Sequence, residues 1–303
     1  MIVRPRMHWL RMLFVWRGSV MPRIFPRLGF FLVLACLAVV LQPLPFNLKF
    51  NLREGPLGLL GVALAIFLGF RNSTAYDRFW EARKLWGSLQ IVSRSFMRQA
   101  LSLPTPALST EERREVTDLL RALALTLNHQ LRGTPVALDT LPPGVRACVE
   151  QTGQRAPRVI LALADWVARM RREGRLGELL VAPLEANLDR FSEVLGGCER
   201  IASTPIPYVY SVMLHRTVYI YSLLLPFALA GSLGWSTPLV SVFVTYTFIA
   251  LDMVTSELED PFGTEPNDLP LDALTRNIER AVLELAGEPL PPPTRPDDSF
   301  LLT

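Results

Sequence analysis

Four stretches of the chain are apolar enough to enter a bilayer: residues 28–41 ending at Pro43, 56–70, 217–233 and 239–251. The last two are joined by the short turn Gly234-Trp235-Ser236-Thr237-Pro238. Each falls short of the roughly 20 residues of an ideal membrane-crossing helix, and flanking Trp, Tyr and Phe extend them. Between the second and third stretches the pattern changes to helical amphipathicity. Residues 78–101 continue the second stretch with mixed aromatic and basic character. Ser109 followed by Glu112 forms the pattern of a capping box and predicts a helix from there to about Arg132. Pro142-Pro143-Gly144 marks a break, and 156–172 and 176–195 read as two further amphipathic helices. After the fourth stretch, Leu271, Leu274, Ile278, Val282 and Leu285 mark one face of a last helix. No alternation with a period of two persists anywhere, so the expected fold class is all-α, with four transmembrane helices and a cytosolic helical domain.

The second stretch carries two distinct rows. Val62, Ile66 and Phe70 recur every four residues and form a bulky stripe. Beside it Gly61, Ala65 and Gly69 form a row of small residues that lets another helix approach closely in lipid. If the small row packs helix against helix around an axis, the bulky row faces that axis and makes an apolar constriction.

Composition and charge sharpen this picture. The mean hydropathy is +0.27, above the usual value for a soluble domain of 303 residues. A net charge of only +3 argues against a general nucleic-acid binder. No Asp or Glu precedes Glu54, whereas six arginines from Arg4 to Arg27 precede the first apolar stretch. Arg71, Arg78, Arg83 and Lys84 follow the second, and the loop 47–55 holds only Lys49 and Arg53. This bias predicts that both termini face the cytoplasm. Residues 7–20 read as an amphipathic segment on the inner membrane surface rather than a cleaved leader. The cysteines Cys36, Cys148 and Cys198 and the histidines His8, His129 and His215 are scattered, so no metal-binding pattern and no disulfide framework is expected. Walker A, GxGxxG and GxSxG motifs are absent, and no internal repeat of the transporter kind stands out. A membrane-anchored enzyme, a secondary transporter and a signalling scaffold are thus the remoter readings.

The run Gly69-Phe70-Arg71-Asn72-Ser73-Thr74-Ala75-Tyr76-Asp77-Arg78-Phe79-Trp80-Glu81-Ala82-Arg83-Lys84-Leu85-Trp86-Gly87 closely resembles the signature of bacterial bestrophin homologues. Ile206-Pro207-Tyr208-Val209-Tyr210 and Glu259-Asp260-Pro261-Phe262-Gly263, followed by Asn267-Asp268, resemble further landmarks of that family in the same order. The resemblance covers roughly residues 5–285 and implies a homopentamer with one pore on its symmetry axis. It implies a neck at Val62, Ile66 and Phe70, and a second, cytosolic aperture at Ile206. It implies one bestrophin-like unit over 1–303, divided into an interfacial segment (1–26), transmembrane helices (27–70), mainly cytosolic helices (71–205), transmembrane helices (206–251) and a cytosolic C-terminal segment (252–303). Calcium binds animal members at an acidic run after Pro-Phe-Gly; here only Glu265 and Asp268 remain there, interrupted by Pro266, so no cofactor or metal is expected. The implied function is a channel for monovalent ions in the bacterial inner membrane, cation-selective for Na⁺ and K⁺ by likeness to bacterial members, or anion-selective by likeness to animal ones. Asp77 and Glu81 are placed to attract cations, but Arg71, Arg78 and Arg83 intervene, and internal ion pairs are the expected use of that segment.

Overall fold

In a computed structural model, residues 1–5, 8–12, 14–16, 18–42, 54–136, 141, 143–149 and 154–303 are described. Most of the 47–55 loop, with Lys49 and Arg53, lies outside the described residues, as do Pro142 and parts of the N-terminal segment. Ten α-helices occur among them: α1 Trp9–Met12, α2 Met21–Leu41, α3 Glu54–Ser102, α4 Thr110–Leu131, α5 Pro143–Val149, α6 Arg155–Arg172, α7 Glu178–Ser203, α8 Tyr208–Leu233, α9 Thr237–Glu259 and α10 Leu271–Ala286. The fold is all-α; the one β-type pairing among the described residues is an isolated bridge between Ile2 and Leu301.

Among the described residues, three stretches are long and apolar enough to cross a membrane: Met21–Leu41, Gly55–Ser102 and Tyr208–Glu259. The third folds back through a 3₁₀ turn at Gly234–Ser236, so that α8 packs on α9 and four apolar helices result. These helices outrun the hydropathy that marks them. Helix α3 has 49 residues, α8 begins at Tyr208 rather than near 217, and α9 continues past 251 to Glu259. Hydropathy locates the oily part of a helix, whereas its hydrogen bonds run on wherever nothing breaks them. Where the sequence shows a proline break, the short helix α5 starts at Pro143, the position at which a helix tolerates proline.

The chain forms two compact units. One comprises Arg4–Phe79 and Pro205–Asp260 and holds α2, the first half of α3, α8 and α9. Its core is built of Ile24 and Phe31 from α2, Leu57, Leu64 and Leu68 from α3, Leu214, Val218, Tyr221 and Leu225 from α8, and Phe248 and Ile249 from α9. Many large apolar side chains on these same helices are exposed, among them Phe30, Val33, Leu59, Phe67, Phe227, Leu239 and Phe243. A single water-soluble chain rarely carries so much exposed apolar surface, whereas lipid or further copies would cover it.

The other unit comprises Met1–Val3, Trp80–Thr204 and Pro261–Thr303. Helix α4 lies at its centre, packed against α6 and α10. The capping box is present in full: the Glu112 amide donates to Ser109 Oγ at 3.2 Å, and the Ser109 amide donates to a Glu112 carboxylate oxygen at 2.7 Å. Glu112 also accepts from Arg175, and these donors hold its carboxyl below the usual glutamate range, Arg175 contributing most. Cys198 is buried on α7, and burial pushes its thiol up to about 12.

Candidate functional site: the stripe on helix α3

The membrane half of α3 buries Leu57, Gly61, Leu64, Leu68, Arg71 and Ala75. These positions step by alternating fours and threes, which keeps one face turned into the bundle. At about 100° per residue, Val62, Ile66 and Phe70 centre roughly 180° from that face. They are accordingly 60%, 53% and 65% exposed, although all are large and apolar. The small row does not stay together. A spacing of four advances the azimuth about 40° per step, so the row walks out of the bundle. Gly61 is buried, with a hypothetical Cβ 2.7 Å from Tyr221 Oη of its own chain, whereas Ala65 and Gly69 are exposed and nothing lies within 4 Å of a Cβ at Gly69.

Directly after Phe70 the helix is anchored by a buried charge. Arg71 is 3% exposed. Its guanidinium donates to Asp252 at 2.5 Å, to Glu259 at 3.0 Å and to Ser256 Oγ at 3.4 Å, all on α9. The second carboxylate oxygen of Asp252 lies 2.8 Å from Nδ1 of His215 on α8, and the Tyr219 ring lies tilted against that imidazole with centroids 4.6 Å apart. Arg78 Nε donates to the Glu259 carbonyl at 2.7 Å, and Asn72 Oδ1 accepts from Thr255 at 3.4 Å. Two apolar helices are thereby cross-linked through a hydrogen-bonded ionic cluster just past the bulky stripe, where an unpaired charge would be costly.

The segment does use its charges in internal ion pairs, with residues of other helices rather than along α3. Arg71 and Arg78 turn to the end of α9, and Glu81 pairs with Arg200 of α7. Asp77 is exposed and has no ion pair among the described residues.

Ile206 is half-buried, immediately ahead of α8. The sequence reading passed over Leu179, in the first turn of α7, which at 90% is the most exposed large apolar side chain among the described residues; Leu180 beside it is also exposed. A pair of leucines opening an amphipathic helix looks ordinary in sequence, and only the fold reveals that neither enters a core. In the loop after Phe262, Asp268 is buried and accepts from the Glu265 amide at 2.7 Å, so its carboxylate serves the turn. No group of three or more His, Cys, Asp or Glu side chains among the described residues is arranged to hold a metal ion.

A family profile described as bacterial/fungal bestrophin protein matches residues 1–284. The chain belongs to the bestrophin family. A voltage-dependent anion channel-forming protein of Ralstonia nicotianae is 48% identical over 294 residues, covering 95% of each chain. One of the same description from Escherichia coli is 43% identical over 305 residues, covering 100% of each. The crystal structure of a bacterial bestrophin homolog from Klebsiella pneumoniae superposes with a TM-score of 0.84 at 40% identity, covering 88% of this bestrophin and 99% of that chain.

Proposed function

We propose that this bestrophin is a homopentameric channel for monovalent ions in the bacterial inner membrane, with both termini cytoplasmic, and that Val62, Ile66 and Phe70 form its neck. The observation that carries this reading is the stripe itself. A bulky apolar row stands opposite the buried face of a membrane helix and is more than half exposed. Five copies around an axis would give three stacked apolar rings, which admit ions only when wide enough to stay wet. Ala65 and Gly69, exposed beside the stripe, suit the approach of a neighbouring α3. For the second constriction, Ile206 is the position implied by family resemblance, and the unpartnered Leu179 and Leu180 compete with it. Glu265 and Asp268 are at most the remnant of a cation loop.

Cation selectivity is the reading adopted for the pore, because the first charge in register past the stripe is a carboxylate, Asp77, with Lys84 following two turns further on. The names of the Ralstonia and Escherichia relatives favour anions as the second reading. Planar-bilayer recording of purified protein under a potassium chloride gradient decides. Unitary steps reversing on the potassium side support the cation channel, and reversal on the chloride side keeps the pore but overturns its selectivity. An absence of steps from protein shown to be pentameric overturns the channel reading.

A further inference from the structure

We infer that Asp77 forms the charge-selective ring of this pore, an inference that rests on α3 lining it. Asp77 stands seven residues after Phe70, so two helical turns return it to within about 20° of the Phe70 azimuth, roughly 10 Å further along the helix. Ser73, midway between, shares that face and is exposed. The register therefore reads Val62, Ile66, Phe70, Ser73, Asp77: three apolar positions, a hydroxyl and a carboxylate.

The charged side chains nearest to it along α3, Arg71, Arg78 and Glu81, are engaged elsewhere. Arg71 is buried between Asp252 and Glu259. Arg78 donates to a carbonyl at the end of α9, and Glu81 is paired with Arg200. Asp77 alone of these is exposed without a hydrogen bond or ion pair. Neither Arg71, six residues before Asp77, nor Arg78, next to it in sequence, has the i±3 or i±4 spacing that would face it, and both are bonded to α9. The next charge in register is Lys84, two further turns along α3.

An apolar neck cannot distinguish the sign of an ion, because its cost is dehydration and falls on both signs. Selection then falls to the nearest fixed charge at the mouth. Five carboxylates at one level would concentrate cations there and deplete anions, an effect focused by the low-dielectric wall and weakened when the Debye length falls below the ring radius. The ligand class is a partly hydrated monovalent cation.

The test uses full-length wild-type protein, Asp77→Asn, Asp77→Glu and Asp77→Cys, each recorded in planar bilayers under a potassium chloride gradient. Asp77→Asn is expected to lower the cation-to-anion permeability ratio by about threefold or more, a modest share of the local enrichment charged clefts achieve. Asp77→Glu should keep it. Asp77→Cys should lose selectivity, regain it with a negatively charged methanethiosulfonate and shift towards anions with a positively charged one, while wild type responds to neither. The two cysteine arms decide the matter if Asp77→Asn does not assemble. Unitary steps with an unchanged ratio in the Asn or modified Cys protein would overturn the role of Asp77 and leave the pore standing. Wild-type steps reversing at the chloride potential would also overturn it. Steps absent from wild type would remove the pore reading itself.

Discussion

Replacing Arg71 by methionine removes the charge that ties α3 to α9 while keeping a long apolar stem. Three hydrogen bonds are lost, at 2.5 Å to Asp252, 3.0 Å to Glu259 and 3.4 Å to Ser256. The larger penalty is the stranded Asp252 carboxylate, which is buried and retains only His215 as a side-chain partner. Leaving one member of a buried pair uncompensated costs about 3–5 kcal/mol. At roughly 2 °C per kcal/mol for a chain of this size, Arg71→Met should lose about 6–10 °C of thermal stability. Because heating a membrane oligomer is irreversible, survival after a fixed heating step, read by size-exclusion fluorescence at one heating rate, is the appropriate assay. Arg71→Met with Asp252→Asn should recover at least half of the loss, since the second change removes the stranded charge. A loss below about 2 °C, or a double variant equal to the sum of the singles, would refute the view that Arg71 and Asp252 form one energetically coupled unit.

Other outcomes follow from particular contacts. Gly61→Leu should destabilise the subunit by about 1–3 kcal/mol, because its side chain meets Tyr221 inside the bundle, whereas Gly69→Leu should spare subunit stability and disturb assembly, read as loss of the pentamer on size exclusion. Ile66→Ala and Phe70→Ala should each raise unitary conductance by widening and wetting the neck, and unchanged currents in both would remove these residues from the pore. For the second constriction, Ile206→Ala and Leu180→Ala are compared in the same recordings, and the residue whose truncation raises conductance is the lining one. The Glu112 carboxyl is held below its ordinary range by Arg175 and the Ser109 cap, so its contribution to stability is complete above the unfolded glutamate pKa and fades as pH falls through the depressed folded value; Glu112→Gln should flatten that acid-side loss in a melting series.

Local chemistry was legible in the sequence wherever its cause was local. The Ser109–Glu112 capping box needs only residues three apart, and it stands as predicted. The continuation of the second apolar stretch into one long helix was visible because no proline or glycine pair interrupts 70–86. The bulky stripe was visible as a spacing, and its exposure agrees with a helical azimuth that spacing alone defines. Ion pairing was not legible: the partners of Arg71 lie 181 and 188 residues away, and sequence proximity pointed instead to Asp77 and Glu81. The small row misled for a related reason. Regular spacing by four describes a gentle spiral, not a straight face, and only the buried core shows where along the spiral the bundle ends.

The placement of Arg71 one residue past Phe70 links stability to the pore. The proposed pore stripe is mostly exposed within its subunit, so its azimuth is set chiefly from the other side of the helix. The apolar heptad does this loosely, since Leu57, Leu64 and Leu68 tolerate rotation by rotamer changes. A guanidinium bonded to two carboxylates and a hydroxyl does not, because rotating α3 would break charge-assisted bonds in a dry environment. Arg71 faces α9 while Asp77 stands on the exposed face of α3. In the proposed pore this buried cluster would hold the rotation of the neck, and weakening it should alter conductance.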